Sequence, residues 1–161
     1  MERIVLSVVM VVEGILRAPD SEAHFDTGWG LYHACAPNTR LYLLSHTWAA
    51  PDIQPWLAKR HLTRHLQYLH QPDPGPAGRL EALDRLRSWR VSLVIEPDPE
   101  CAAAEINAGW NTALVTHPQY TQARWRPDYP GRIRPWDQLT HAIERQTELR
   151  LADPRHQESA P

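Results

Sequence analysis

Residues 4–12 (IVLSVVMVV) put the tightest limit on the fold. The run is rich in Val and apolar on both faces, a pattern that suits a strand covered on both sides. A buried central strand of a parallel sheet is therefore expected. The run is too short to span a bilayer. Glu13 follows it directly and no small-x-small cleavage pattern is present, so no signal peptide is expected either.

The rest of the chain alternates. Strand-like runs are expected at residues 40–45 (RLYLLS), 65–69 (HLQYL), 91–96 (VSLVIE) and 112–116 (TALVT). Helices are expected at 27–36, 51–63, 78–89, 99–108 and 135–151. Leu80, Leu83 and Leu86 line one face of the third helix. Asp98 suits the N-cap of the fourth, and Gly109 suits the position after its end. Strands alternating with helices predict an α/β fold of three layers, a doubly wound and mostly parallel five-stranded sheet without a large cap domain. Residues 1–151 are read as one domain and 152–161 as a polar tail. Ligands of such sheets bind at the carboxyl ends of the strands, where the strand order switches. This directs attention to residues 11–14, 45–48, 96–98 and 116–118.

Composition adds exclusions. The net charge of −2 gives no bulk attraction to nucleic acid or to an anionic membrane. Cys35 and Cys101 have no spacing that suits a zinc knuckle or a disulfide framework, so free thiols in a reducing cytoplasm are expected. Of the 17 basic residues only Lys59 is a lysine. With abundant Ala and Pro, that usage reads as a GC-rich genome, an actinobacterium or its bacteriophage, with a place in the host cytoplasm or the virion.

The segment VVMVVEGILR, residues 8–17, resembles the first motif of haloacid-dehalogenase-like hydrolases: an apolar strand followed by Asp-x-Asp-Gly-x-Leu. Gly14 and Leu16 stand where that motif has them. Val11 takes the place of the first Asp and Glu13 that of the second. Ser45 ends the second strand, as the family's second motif requires. Glu96 and Asp98 match the acidic pair of its last motif. Arg79 matches the lone basic residue of the third, with Arg85 and Lys59 as alternatives.

The resemblance implies a mechanism as well as a fold. In active members the first Asp attacks phosphorus and the second is the general acid and base. Ser or Thr and the basic residue hold phosphoryl oxygens, and magnesium joins the acids. Val11 can neither attack nor bind metal. The resemblance thus implies a degenerate domain, a pseudoenzyme acting as a binding or structural module. Ser45 and Arg79 would bind phosphate, and Glu96 and Asp98 would retain a weak magnesium site. The alternative is a divergent magnesium-dependent phosphohydrolase using Glu13 and Asp98 as catalytic groups.

Other residues invite two readings each. His46 and His117 are expected at the ends of the second and fifth strands, as a pocket rim or as loop histidines. His61 and His65 have metal-ligand spacing but lack the zinc-protease glutamate, which leaves a solvated polar face. The segment 119–136 is dense in Arg, Trp and Pro. Arg124, Trp125 and Arg126 suit a partner or ligand loop, or a wrap over the sheet. A third function, a virion or assembly module, rests on that segment. Partners read from sequence are a protein, a second copy of the chain or a phosphate-containing small ligand. Trp29, Trp48 and Trp56 follow the first two strands and suit a pocket roof, a partner surface or helix packing.

Overall fold

The computed structural model describes residues 5–115 and 135–152. Five strands form one sheet: β1 (Leu6–Val11), β2 (Thr39–Ser45), β3 (Gln67–His70), β4 (Leu93–Glu96) and β5 (Thr112–Leu114). Their order across the sheet is β3-β2-β1-β4-β5, and every pairing is parallel. The helices are α1 (Asp26–Cys35), α2 (Ala50–Lys59), α3 (Pro76–Arg85), α4 (Pro99–Asn107) and α5 (Pro135–Ala152). This is the doubly wound, three-layer α/β architecture expected from the alternation. Among the described residues no helix is long and apolar enough to cross a membrane.

The strand pattern explains the layers. Side chains alternate across a strand, so Val8 and Met10 join Leu41, Leu43 and Ile95 in a cluster with Tyr32 of α1 and Ile53, Trp56 and Leu57 of α2. Val9 points the other way, into a cluster with Tyr42, Leu44 and Val94 under Ala82 and Leu83 of α3. The helix α4 packs on α3, and α5 on α4. A residue such as Leu43, with no exposed surface, contributes roughly 1.5–3 kcal/mol through its burial.

Several boundaries depart from the sequence reading by a few residues, and two helix ends do so for a local backbone reason. The second helix stops at Lys59 rather than Thr63 because His61 adopts a left-handed backbone, φ 58°. The amide of Leu62 then bonds back to the Leu57 carbonyl at 2.9 Å, a helix-closing pattern normally left to glycine. The third helix ends at Arg85 and continues only as a 3-10 turn, Arg87–Trp89, closed by Arg90 at φ 51°. The strand β3 begins two residues late, at Gln67. Asp98 and Gly109 take the capping places expected of them. The Asp98 carboxylate accepts from the Glu100 amide at 2.9 Å, and Gly109 has φ 95°.

The exit from β1 sets up the site. After Val12 the chain makes one helical turn, with the Leu16 and Arg17 amides bonded to the Val12 carbonyl at 2.9 and 3.0 Å. Gly14 has φ 93°, a conformation side chains resist, and its amide bonds to the Arg17 carbonyl at 2.7 Å. A hairpin follows, tied by Ala18 to Ala23 and by Phe25 to Leu16. Gly28 lets α1 press on this turn, since a Cβ there would stand 1.7 Å from the Ile15 carbonyl oxygen.

Candidate functional site

The carboxyl ends of β1, β2 and β4 meet where the strand order reverses, and polar side chains gather there. Glu13, Arg17, Ser45, Arg79, Glu96 and Asp98 are all buried, as is Glu105 of α4. Burying so many charged groups is costly unless they are matched.

On the β1–β2 side, Glu13 is 2% exposed. Its carboxylate accepts hydrogen bonds from the Ser45 hydroxyl, from the Thr47 amide at 3.2 Å and from the His46 amide at 3.4 Å. The His46 ring stands 3.5 Å from the same carboxylate, and its side chain is 25% exposed. Burial pushes the His46 pKa below its ordinary 6.5, against the pull of Glu13. The imidazole is therefore mostly neutral at pH 7. Tyr68 donates its hydroxyl to the Trp48 carbonyl, and burial raises its pKa to about 12.

On the β4 side, Arg79 is 3% exposed and Glu96 is fully buried. Arg79 Nε lies 2.8 Å from Glu96 Oε2, an ionic contact without hydrogen-bond alignment, while Nη2 donates to Oε1 at 3.5 Å. The Asp98 amide donates to Glu96 Oε1 at 3.0 Å. Glu105 brings a second carboxyl against Glu96, and Thr112 donates to it at 3.1 Å. Burial, reinforced by the Glu96 charge, raises the Glu105 pKa well above the carboxylate range. Burial and the Glu96 charge both favour the protonated form of Glu105.

The residues singled out from sequence at the ends of β1, β2 and β4 thus come together. Val11 is the last residue of β1: it has no exposed surface and pairs with Leu44 in the sheet. His46 stands at the rim. Arg79 and Ser45, expected to hold phosphate, are engaged by Glu96 and Glu13 respectively. The alternatives Lys59 and Arg85 are exposed at the ends of α2 and α3. His65 bonds to the Tyr32 hydroxyl at 2.8 Å, while His61 is exposed. Trp56 packs into the core, Trp29 is largely exposed, and Trp48 is half-buried beside the site. Cys35 and Cys101 are free thiols. His117, Arg124, Trp125 and Arg126 lie outside the described residues.

Two buried charges escaped the sequence reading. Arg17 sits just past the motif, where only its adjacency to Leu16 in an apolar stretch hinted at burial. Glu105 follows Cys101 by one helical turn, on the face that Cys101 and Ala102 bury.

The acids at this end do not fit magnesium. Glu13 is engaged by a hydroxyl and amides, Glu96 by Arg79, and Asp98 caps α4. Among the described residues no three His, Cys, Asp or Glu side chains form a group able to hold a metal ion. A separate groove of about 540 Å³ runs between α4 and α5 past Glu100, Asn107, His141 and Arg145. None of the strand-end residues lines it.

Fold and site define a Rossmann-like three-layer α/β domain with a polar cluster at its topological switch point. Comparison with family models, curated proteins and solved structures gives no significant match to this chain.

Proposed function

We propose that this chain is a haloacid-dehalogenase-like domain whose strand-end polar cluster binds a ligand and does not form an aspartyl phosphate. One observation carries the reading. Where that family keeps its nucleophile, Val11 is a fully buried sheet residue, and the next acid, Glu13, is held by Ser45 and two backbone amides. A general acid or base must reach the proton it moves. Glu13 spends its oxygens on its own scaffold and ties β1 to the turn after β2. The parallel order of the sheet and the meeting of three motif positions at its switch point support the family part of the reading.

Turnover of p-nitrophenyl phosphate with magnesium is the direct test, and none above the protein-free rate is expected. Magnesium-dependent turnover lost in Glu13→Gln or Asp98→Asn would overturn the proposal and favour a divergent phosphohydrolase. Val11→Asp probes the family resemblance. Turnover gained by that variant supports it, and a folded, inactive variant counts against it.

A further inference from the structure

We infer that the Arg17 guanidinium is the docking point for a carboxylate-bearing ligand at the carboxyl ends of β1 and β2. The inference rests on the reading of this chain as a binding domain and names its ligand class.

Arg17 is 6% exposed. Its Nε and Nη1 are buried without a hydrogen-bond partner, and it makes no ion pair among the described residues. The guanidinium carbon lies over the Trp48 ring, 3.7 Å from its centroid. Stacking occupies a face of the cation and leaves the in-plane N–H donors free. The backbone holds the residue firmly, through Arg17 N to Val12 O and Gly14 N to Arg17 O.

Such a charge has few ways to be satisfied. A buried carboxyl without a cation can take up a proton, the direction in which burial and the Glu96 charge push Glu105. Arginine cannot lose one. An anion from outside can satisfy it. The way in is the rim: His46 is partly exposed, Thr47 exposed and Trp48 half-buried. Arg17 and His46 are close enough for the arginine's charge to depress the histidine's pKa, and Glu13 and Asp98 act on the same ring.

The surrounding charge selects the anion. Arg79 is already matched by Glu96, so among the described residues at these strand ends Arg17 is the cation left for an incoming ligand, with Glu13 and Asp98 nearby. A carboxylate brings a single negative charge beside Glu13. A phosphate dianion would leave excess negative charge beside Glu13. A planar carboxylate also suits the donors of a guanidinium edge.

The test is thermal melting of the full chain at pH 7 in sodium benzoate, sodium acetate and sodium phosphate, against sodium chloride at equal ionic strength. A saturable rise in Tm with a carboxylate salt is expected. Arg17→Met is expected to melt no lower than wild type in chloride, since it removes a buried cation whose Nε and Nη1 have no hydrogen-bond partner, and to lose the carboxylate shift. A structural role for Arg17 predicts the reverse, a lower Tm with the shift intact, and overturns the inference. So does the absence of any carboxylate shift in wild type, or a larger shift with phosphate. If Arg17→Met does not fold, Arg17→Lys is read instead. A rise in the midpoint concentration of at least about tenfold supports the inference, and an unchanged midpoint overturns it. Phosphatase turnover in the same samples would overturn the binding-domain reading, whereas a missing salt response removes only the docking site.

Discussion

The two halves of the strand-end cluster solve one problem in opposite ways. On the β1–β2 side a carboxylate, Glu13, is held by neutral donors, and a cation, Arg17, is left over. On the β4 side a carboxylate, Glu96, is held by a cation, Arg79, and an acid, Glu105, is left over. The leftover acid can be neutralised internally by a proton and the leftover cation cannot. The first half is thus open to a ligand while the second is closed on itself.

The largest expected effect is on the closed half. Arg79→Met leaves Glu96 buried without its cation, and breaking such a pair costs about 3–5 kcal/mol. Urea unfolding of the variant measures it, and a loss below about 1 kcal/mol would mean that Glu96 finds protection elsewhere.

A smaller loss is expected on the open half. Glu13→Leu removes the acceptor of the Ser45 hydroxyl and of two partly exposed amides, and the buried hydroxyl left unsatisfied costs about 1–3 kcal/mol. Water entering at the partly exposed His46 rim limits that cost. The same unfolding assay should place Glu13→Leu below Arg79→Met, and the opposite order would undo the distinction between the halves.

The smallest effect is a slope. Glu105 has a raised pKa in the folded state, so the native protein binds its proton more tightly than the unfolded chain does. Stability from this group is full below its ordinary 4.5 and falls as pH rises toward the elevated native value. Burial raises Glu96 in the same direction, partly offset by Arg79. Glu105→Gln should flatten the decline above pH 4.5 in a Tm-against-pH series. An unchanged slope would show that Glu105 ionises without penalty.

Much of the fold could be read from pattern because its signals are local. The apolar run before Glu13, the Pro and Gly punctuation and the Asp98 cap each act within a few residues. The helix ends at His61 and Arg90 could not be read, because left-handed residues there are neither Gly nor Asn. The site was legible as a place but less so as an arrangement. Strand ends bring Glu13, Ser45 and Glu96 together by topology alone. That Arg79 turns to Glu96 depends on how α3 lies across the sheet. That Arg17 is buried depends on a hairpin closing around it. Both are settled by packing between distant segments, which spacing in a sequence does not encode.

The contact between Gly28 and the Ile15 carbonyl has a kinetic consequence. It clamps α1 to the turn that carries Arg17, and the hydrogen bonds from Gly14 to Arg17 and from Phe25 to Leu16 brace the same turn. An anion arriving at the rim meets a donor already in place. Little ordering remains to be done on arrival. Association at such a fixed site is governed by encounter with the rim, and residence time, more than capture rate, distinguishes one ligand from another.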